Sequence, residues 1–177
     1  MKPKDFPNII FDLGGVILNI DYSKTIAAFS NLGVEDFENS YSQLVQADLF
    51  DDYERGEISS AEFRKGIRTV FKMEISDTEI DDAWNMMLLD LPPQRLDLLH
   101  RLGNDKKLAL LSNTNEIHIQ QFEKSLKNNL GISDLSRYFQ KVYYSYRVGM
   151  RKPENRIFQL VLDEMGFNPS ETLFIDD

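Results

Sequence analysis

The run Asn8-Ile-Ile-Phe-Asp-Leu-Gly-Gly-Val-Ile17 constrains this chain more than any other. Asn8 to Phe11 reads as a short apolar strand that stops at Asp12, with Gly14 and Gly15 close behind. A continuous apolar run suits a strand buried on both faces, as in a parallel sheet. Open α/β sheets place their ligands at the carboxyl ends of such strands. Glycines at that point let backbone approach a ligand closely. By itself the pattern also fits a strand that ends in a turn with a solvated aspartate, so the rest of the chain decides.

Helical periodicity takes over after Ile20. Ile26 and Phe29 share one helical face, with Gly33 as the stop. Phe37, Tyr41, Leu44 and Val45 repeat at the spacing of an amphipathic helix. Ser59 with Glu62, and Ser76 with Glu79, form capping-box patterns. The first precedes Phe63, Ile67, Val70 and Phe71, the second Ile80, Trp84 and Met87. Pro92-Pro93 then opens a helix that runs to Leu102 and stops at Gly103. Leu108 to Leu111 reads as a buried strand ending at Ser112-Asn113, followed by a helix carrying Ile119, Phe122 and Leu126. Lys141 to Ser145 is strand-like. Arg151-Lys152-Pro153 leads into a helix with Ile157, Leu160 and Val161, closed by Gly166. Thr172 to Ile175 is a last strand, ending at Asp176-Asp177.

Strands alternating with helices imply βαβ units and a parallel sheet. The expected fold is α/β, a Rossmann-like sheet built from 1–19 and 91–177 with a small helical cap inserted as 20–90. A doubly wound domain normally continues past its last strand, so either the sequence is truncated at Asp177 or the sheet ends early.

Bulk properties narrow the function classes. A net charge of −9 argues against a nucleic-acid partner, which needs a basic patch. With no cysteine there is no disulfide framework and no thiolate or zinc–thiolate chemistry. There is no long apolar run to span a membrane and no signal-peptide core behind Met1, so a cytoplasmic location is the default expectation.

Three strands now end in polar groups: Asp12, Ser112-Asn113 and Asp176-Asp177, and Lys152 is placed at the start of the helix that follows the remaining strand. Parallel strands bring these to one sheet edge. Carboxylates there make a pocket for a hard cation such as Mg2+. A hydroxyl, an amide and a lysine suit a phosphoryl group.

The order of these groups resembles the haloacid dehalogenase superfamily over essentially the whole chain. Its four motifs are matched by Phe11-Asp-Leu-Gly-Gly-Val-Ile17, Leu110-Leu-Ser-Asn-Thr114, Arg151-Lys-Pro-Glu154 and Phe174-Ile-Asp-Asp177. Ser112-Asn-Thr-Asn115 and Gly149-Met-Arg-Lys-Pro-Glu154 are most similar to the bacterial sugar-phosphate phosphatases typified by alpha-D-glucose-1-phosphate phosphatase. The resemblance implies a Mg2+-dependent phosphatase of a small phosphorylated metabolite, with sugar 1-phosphates favoured. It implies Asp12 as nucleophile, forming an aspartyl-phosphate, and Lys152 as the group that stabilises negative charge. Ser112 and Asn113 would bind phosphoryl oxygens together with Lys152. The metal would be held by Asp12, the Gly14 carbonyl and Asp177, with Asp176 beside it or in the outer shell. Most such phosphatases carry an acid/base aspartate two residues after the nucleophile, where this chain has Gly14. That gap favours one alternative, a non-catalytic phosphate- or partner-binding protein on the same scaffold, and counts against a second, less favoured one, a sugar phosphomutase.

Other residues take plainer readings. Asp51 to Glu62 matches an EF-hand loop at four positions but has Tyr53 and Arg55 where oxygen ligands are needed, so it reads as a loop and a capped helix. Trp84 is assigned to the packing of the inserted helices, His100 and His118 to surface or packing positions, and Arg151 to the surface. Asp21 is expected to cap the helix near Ser23.

Overall fold

A computed structural model describes residues 6–34 and 48–177. The helix expected over Phe37 to Val45 lies outside the described residues.

Four strands form one parallel sheet: β1 Asn8–Phe11, β2 Lys107–Ser112, β3 Lys141–Tyr144 and β4 Thr172–Ile175. Their order is β3-β2-β1-β4. Ile9 is level with Leu108 and Leu173, and Leu110 with Val142, so the strand ends stand side by side. β1 is central because its four residues are all buried.

Alternation along the strands divides the packing. Ile9, Phe11, Leu108 and Leu110 face one side, with Leu96 and Leu99 of helix Pro93–Gly103 and Ile119 and Phe122 of helix Glu116–Leu130. Ile10, Ala109, Leu111 and Tyr143 face the other, against Ile157 and Val161 of helix Asn155–Met165. Period-2 side-chain direction and apolar residues at every position leave room for helices only on both faces.

Numbered along the chain, the α-helices among the described residues are α1 Tyr22–Asn31, α2 Leu49–Glu54, α3 Ser60–Phe71, α4 Asp77–Asn85, α5 Pro93–Gly103, α6 Glu116–Leu130, α7 Ser145–Val148 and α8 Asn155–Met165. α1 to α4 gather around a separate cluster that includes Phe29, Tyr53, Phe63, Ile67, Ile80 and Trp84, with Ile117 of α6 reaching in from below. Both expected capping boxes form, at Ser59–Glu62 and Ser76–Glu79. Asp21 caps α1, accepting from the Ser23 N–H at 3.0 Å. Among the described residues, no strand from 20–90 joins the sheet. The two connections to this helical block run side by side: Leu89 N–H donates to Asn19 O at 2.9 Å, and Asp21 N–H to Met87 O at 2.9 Å.

Several local expectations need correction. Ser145 leaves β3 and starts α7, where its buried hydroxyl bridges the Thr114 N–H and C=O at 2.9 Å each. Lys152 sits in the turn between α7 and α8, ahead of the helix that begins at Asn155. Gly103 is the last residue of α5 and has no left-handed φ, so it does not act as a glycine stop. Asp51 to Glu54 is helical, not loop. Ile26 is 38% exposed, so α1 buries Phe29 and Thr25 instead.

Candidate active site

Asp12 directly follows β1 and extends its pairing, with its N–H donating to Ile175 O at 2.9 Å. The chain then curls tightly: Leu18 N–H returns to Leu13 O at 2.8 Å and Gly15 N–H to Leu18 O at 3.0 Å. Arg95 Nη1 donates to Ile17 O at 2.9 Å and anchors the curl to α5. Gly15 adopts φ +71. A Cβ there would stand 2.7 Å from Asp177 Cγ, inside van der Waals contact. The absence of that one carbon is what lets the Asp177 carboxylate come in beside β1.

Asp12, Asp176 and Asp177 each offer an oxygen within 4.8 Å of the others. Lys152 Nζ donates to Asp176 Oδ1 at 2.7 Å and stands 3.0 Å from Asp12 Oδ1. The approach to Asp12 is an ion pair onto a buried carboxylate oxygen. Burial pushes the Asp12 carboxyl above its usual range, and the Lys152 ammonium pulls it back. Three carboxylates facing one ammonium leave a net negative pocket of hard oxygen donors. That donor set fits a small divalent cation such as Mg2+.

All seven residues singled out from the sequence line one cavity of about 690 Å3: Asp12, Gly14, Ser112, Asn113, Lys152, Asp176 and Asp177. The Asn113 side chain has a different task from the one expected. Its Nδ2 donates to Lys152 O at 2.9 Å and its Oδ1 accepts from Lys152 N–H at 2.8 Å. Both ends of the amide hold the Lys152 backbone, so Asn113 positions the lysine rather than offering its side chain to a ligand. Ser112 is 3% exposed, and its hydroxyl makes only a long 3.3 Å contact with Asn113 O. A Cβ at Gly14 would lie 3.3 Å from Ile20 Cδ1, so an apolar side chain fills the space beside that position.

Residues of α1, α2 and α4 line the same cavity. Trp84 stacks between Phe50, with centroids 5.2 Å apart, and His118, 5.0 Å away. All three line the cavity as well as packing together, so the packing assignment of Trp84 is only half of its position. Burial holds the His118 imidazole down at about 4, and its Nδ1 and Nε2 lie 3.2 Å from Asn115 Nδ2 and Trp84 O. Arg151 does not stay on the surface. It crosses to α2, where Nη1 donates to Asp51 at 2.8 Å and Nη2 lies 2.9 Å from Glu54. The sequence reading missed Asp51 and Glu54 as cavity residues; their i, i+3 spacing on a helix was the available signal.

Hydroxyl, amide, lysine and clustered carboxylates at the switch point of a doubly wound sheet define a hydrolase built on the aspartate-first α/β plan. Residues 6–177 match the haloacid dehalogenase-like hydrolases, and the chain belongs to that family. It is 34% identical over 170 residues to a D-ribitol-5-phosphate phosphatase of Bacteroides thetaiotaomicron, spanning 96% of this chain and 82% of that protein. Among solved structures, the family enzyme BT-2542 of the same organism superposes with a TM-score of 0.89 at 40% identity, over 97% of this chain and 84% of the other. The wild-type form of that enzyme in complex with magnesium and inorganic phosphate superposes at 0.85, with 40% identity over 97% and 85% of the two chains. Among the described residues, no helix is long and apolar enough to cross a membrane.

Proposed function

We propose that this chain is a Mg2+-dependent phosphatase of a small phosphorylated sugar or polyol, working through an aspartyl-phosphate on Asp12. The observation that carries the reading is the Asp12 carboxylate itself. It is buried at the end of the central strand, 3.0 Å from Lys152 Nζ, in a cluster with Asp176 and Asp177. The phosphatase and the magnesium-and-phosphate complex among its relatives support it.

An Asp12 oxygen attacks phosphorus and the ester P–O bond breaks, with the leaving oxygen taking its proton from water. Water then attacks the same phosphorus, the bond to Asp12 breaks, and phosphate departs. Lys152 offsets the charge gathered on the phosphoryl oxygens, held in place by the Asn113 clamp on its backbone. The Ser112 hydroxyl donates to one of those oxygens. Asp12, the Gly14 carbonyl and Asp177 would hold the metal, while Asp176, with one oxygen on Lys152, stands beside it. Bound Mg2+ supplies positive charge next to the phosphoryl group. The helices of 20–90 act as a cap that closes the site from above.

Position 14 carries the finer point. With glycine there and Ile20 filling the space, no acid protonates the leaving oxygen from that side. General acid help is typically worth about 10²–10⁴-fold, so sugar 1-phosphates, with more acidic leaving groups, suffer least from its loss. The ribitol 5-phosphate relative points instead to a primary alkyl phosphate.

The test is phosphate release from a panel holding both kinds of ester, with Mg2+ and with EDTA. Turnover should need the metal, and Asp12→Asn should lower kcat by more than about 10³-fold. Silence across the panel would favour the non-catalytic alternative. A flat response to leaving-group acidity, unchanged in Gly14→Asp, would remove the 1-phosphate preference.

A further inference from the structure

The wall opposite Asp12 has its own charge arrangement. Among the described residues, the cavity is lined by two cations, Arg151 and Lys152. Lys152 is committed to Asp12 and Asp176. Arg151 is committed on the other side, to Asp51 at 2.8 Å and to Glu54 at 2.9 Å, with its Nε donating to the same Glu54 oxygen at 3.1 Å. Its side chain is only 24% exposed. Arg55 stands 3.9 Å from Asp51 but 2.9 Å from Glu154 of the neighbouring turn, and it does not line the cavity. The cavity wall therefore holds two carboxylates against one guanidinium. Burial keeps His118 neutral near pH 7, so it adds no charge.

No further cation comes from the inserted segment outside the described residues. The stretch 35–47 contains no Lys, Arg or His, and it has three acids, Glu35, Asp36 and Glu38.

The remaining wall chemistry suits hydroxyls and C–H faces. Glu54 accepts from Arg151 through Oε2, and among the described residues Oε1 accepts no hydrogen bond. Met87, Leu88 and Ile26 line the same cavity with apolar side chains. A carboxylate oxygen can accept a hydrogen bond from a hydroxyl, and apolar side chains can cover C–H groups. A second anion would meet Asp51 and Glu54 with no spare cation.

We infer that the cavity selects phosphomonoesters whose remainder is uncharged and hydroxyl-bearing, and that it turns away those with a second anionic group because Asp51 and Glu54 keep Arg151 neutralised. The inference rests on the phosphatase reading above and adds the determinant of its substrate class. Neutralising the two acids frees Arg151 to accept a carboxylate or a second phosphate. Specificity of this kind comes from the repulsive element as much as from attraction.

Binding of inert phosphonates of matched length separates this inference from turnover. The probes are 4-hydroxybutylphosphonate and 3-carboxypropylphosphonate, titrated calorimetrically into the full chain with Mg2+ present. Like-charge juxtaposition should make the wild type prefer the hydroxyl probe by on the order of tenfold or more. In Asp51→Asn/Glu54→Gln the carboxylate probe should gain about tenfold, and adding Arg151→Gln should remove that gain. Glu54→Gln alone, which should show part of the gain, carries the test should the double variant unfold. Equal binding of both probes by the wild type, or no gain in the acid-neutralised variants, overturns the inference and leaves the phosphatase reading standing. Failure of the wild type to bind either probe overturns both.

Discussion

The two walls of the cavity are held in different ways. The strand-end wall, with Asp12, Ser112, Lys152, Asp176 and Asp177, is assembled from four separate stretches of chain by strand register and by contacts among its own polar groups. Lys152 alone touches two carboxylates through its side chain and Asn113 through its backbone. The helical wall is a packed cluster. Phe63 and Ile80 are 0% exposed, and Tyr53 stacks on Phe63 with centroids 4.3 Å apart. Substitutions in the first wall should cost chemistry and metal binding with little loss of stability. Substitutions in the second should cost stability and leave the chemistry of the folded fraction intact. The walls meet through Arg151 and through Gly56, where a Cβ would strike the Tyr146 carbonyl.

The largest expected effect is in the helical wall. Phe63→Ala removes a fully buried ring that contacts Phe50, Tyr53 and Trp84, and should lower unfolding stability by about 3–5 kcal/mol. Denaturant unfolding measures that cost. The rate per folded molecule, at saturating substrate and a temperature where the variant is folded, should stay within a few-fold of wild type; a loss of the size expected for Asp12→Asn would break the division between the walls.

His118 comes next. Its imidazole is held at about 4 against an ordinary 6.5. The unfolded chain therefore binds a proton that the folded chain refuses. Stability from this group is full above about pH 6.5, falls as pH drops below it, and levels off below about pH 4, for a total near 3 kcal/mol. Carboxylates titrate in part of the same window, so the readout is the difference from His118→Gln, whose unfolding free energy should lose this component of the slope. Parallel pH profiles would show that His118 takes up its proton as readily in the folded chain as in the unfolded one.

The smallest effect probes the strand-end wall. Gly15→Ala sets a methyl group against Asp177 at a backbone φ of +71. The carboxylate must retreat, and Mg2+ affinity should fall by about 10–100-fold, the scale seen when a group orienting a metal ligand is lost. Calorimetric Mg2+ titration reads this without turnover. Unchanged affinity would remove Asp177 from the proposed ligands.

The strand-end wall was legible because all of its groups except Lys152 stand at the end of an apolar run. Asp12, Ser112 and Asp176 mark strand ends, and parallel pairing puts strand ends together whatever their separation in sequence. The helical wall was legible as helices, through capping boxes and apolar spacing, but its contribution to the cavity was not. Arg151 and Asp51 are 100 positions apart, and neither carries a local sign of the other. Asn113 looked like a phosphoryl ligand because it follows Ser112, yet its amide fits the backbone of a residue 39 positions on. Gly14 and Gly15 were read together, whereas only Gly15 has a positive φ, and the carboxylate it admits lies at the far end of the chain.

The stereochemical course at phosphorus tests the central claim most directly. A phosphorothioate substrate made chiral at phosphorus with two oxygen isotopes is hydrolysed with Mg2+ present in water of the third isotope, and the configuration of the released thiophosphate is determined. Attack by Asp12 followed by attack of water is two in-line displacements, so the account predicts overall retention. Inversion would mean a single direct attack by water, and Asp12 would not be the nucleophile.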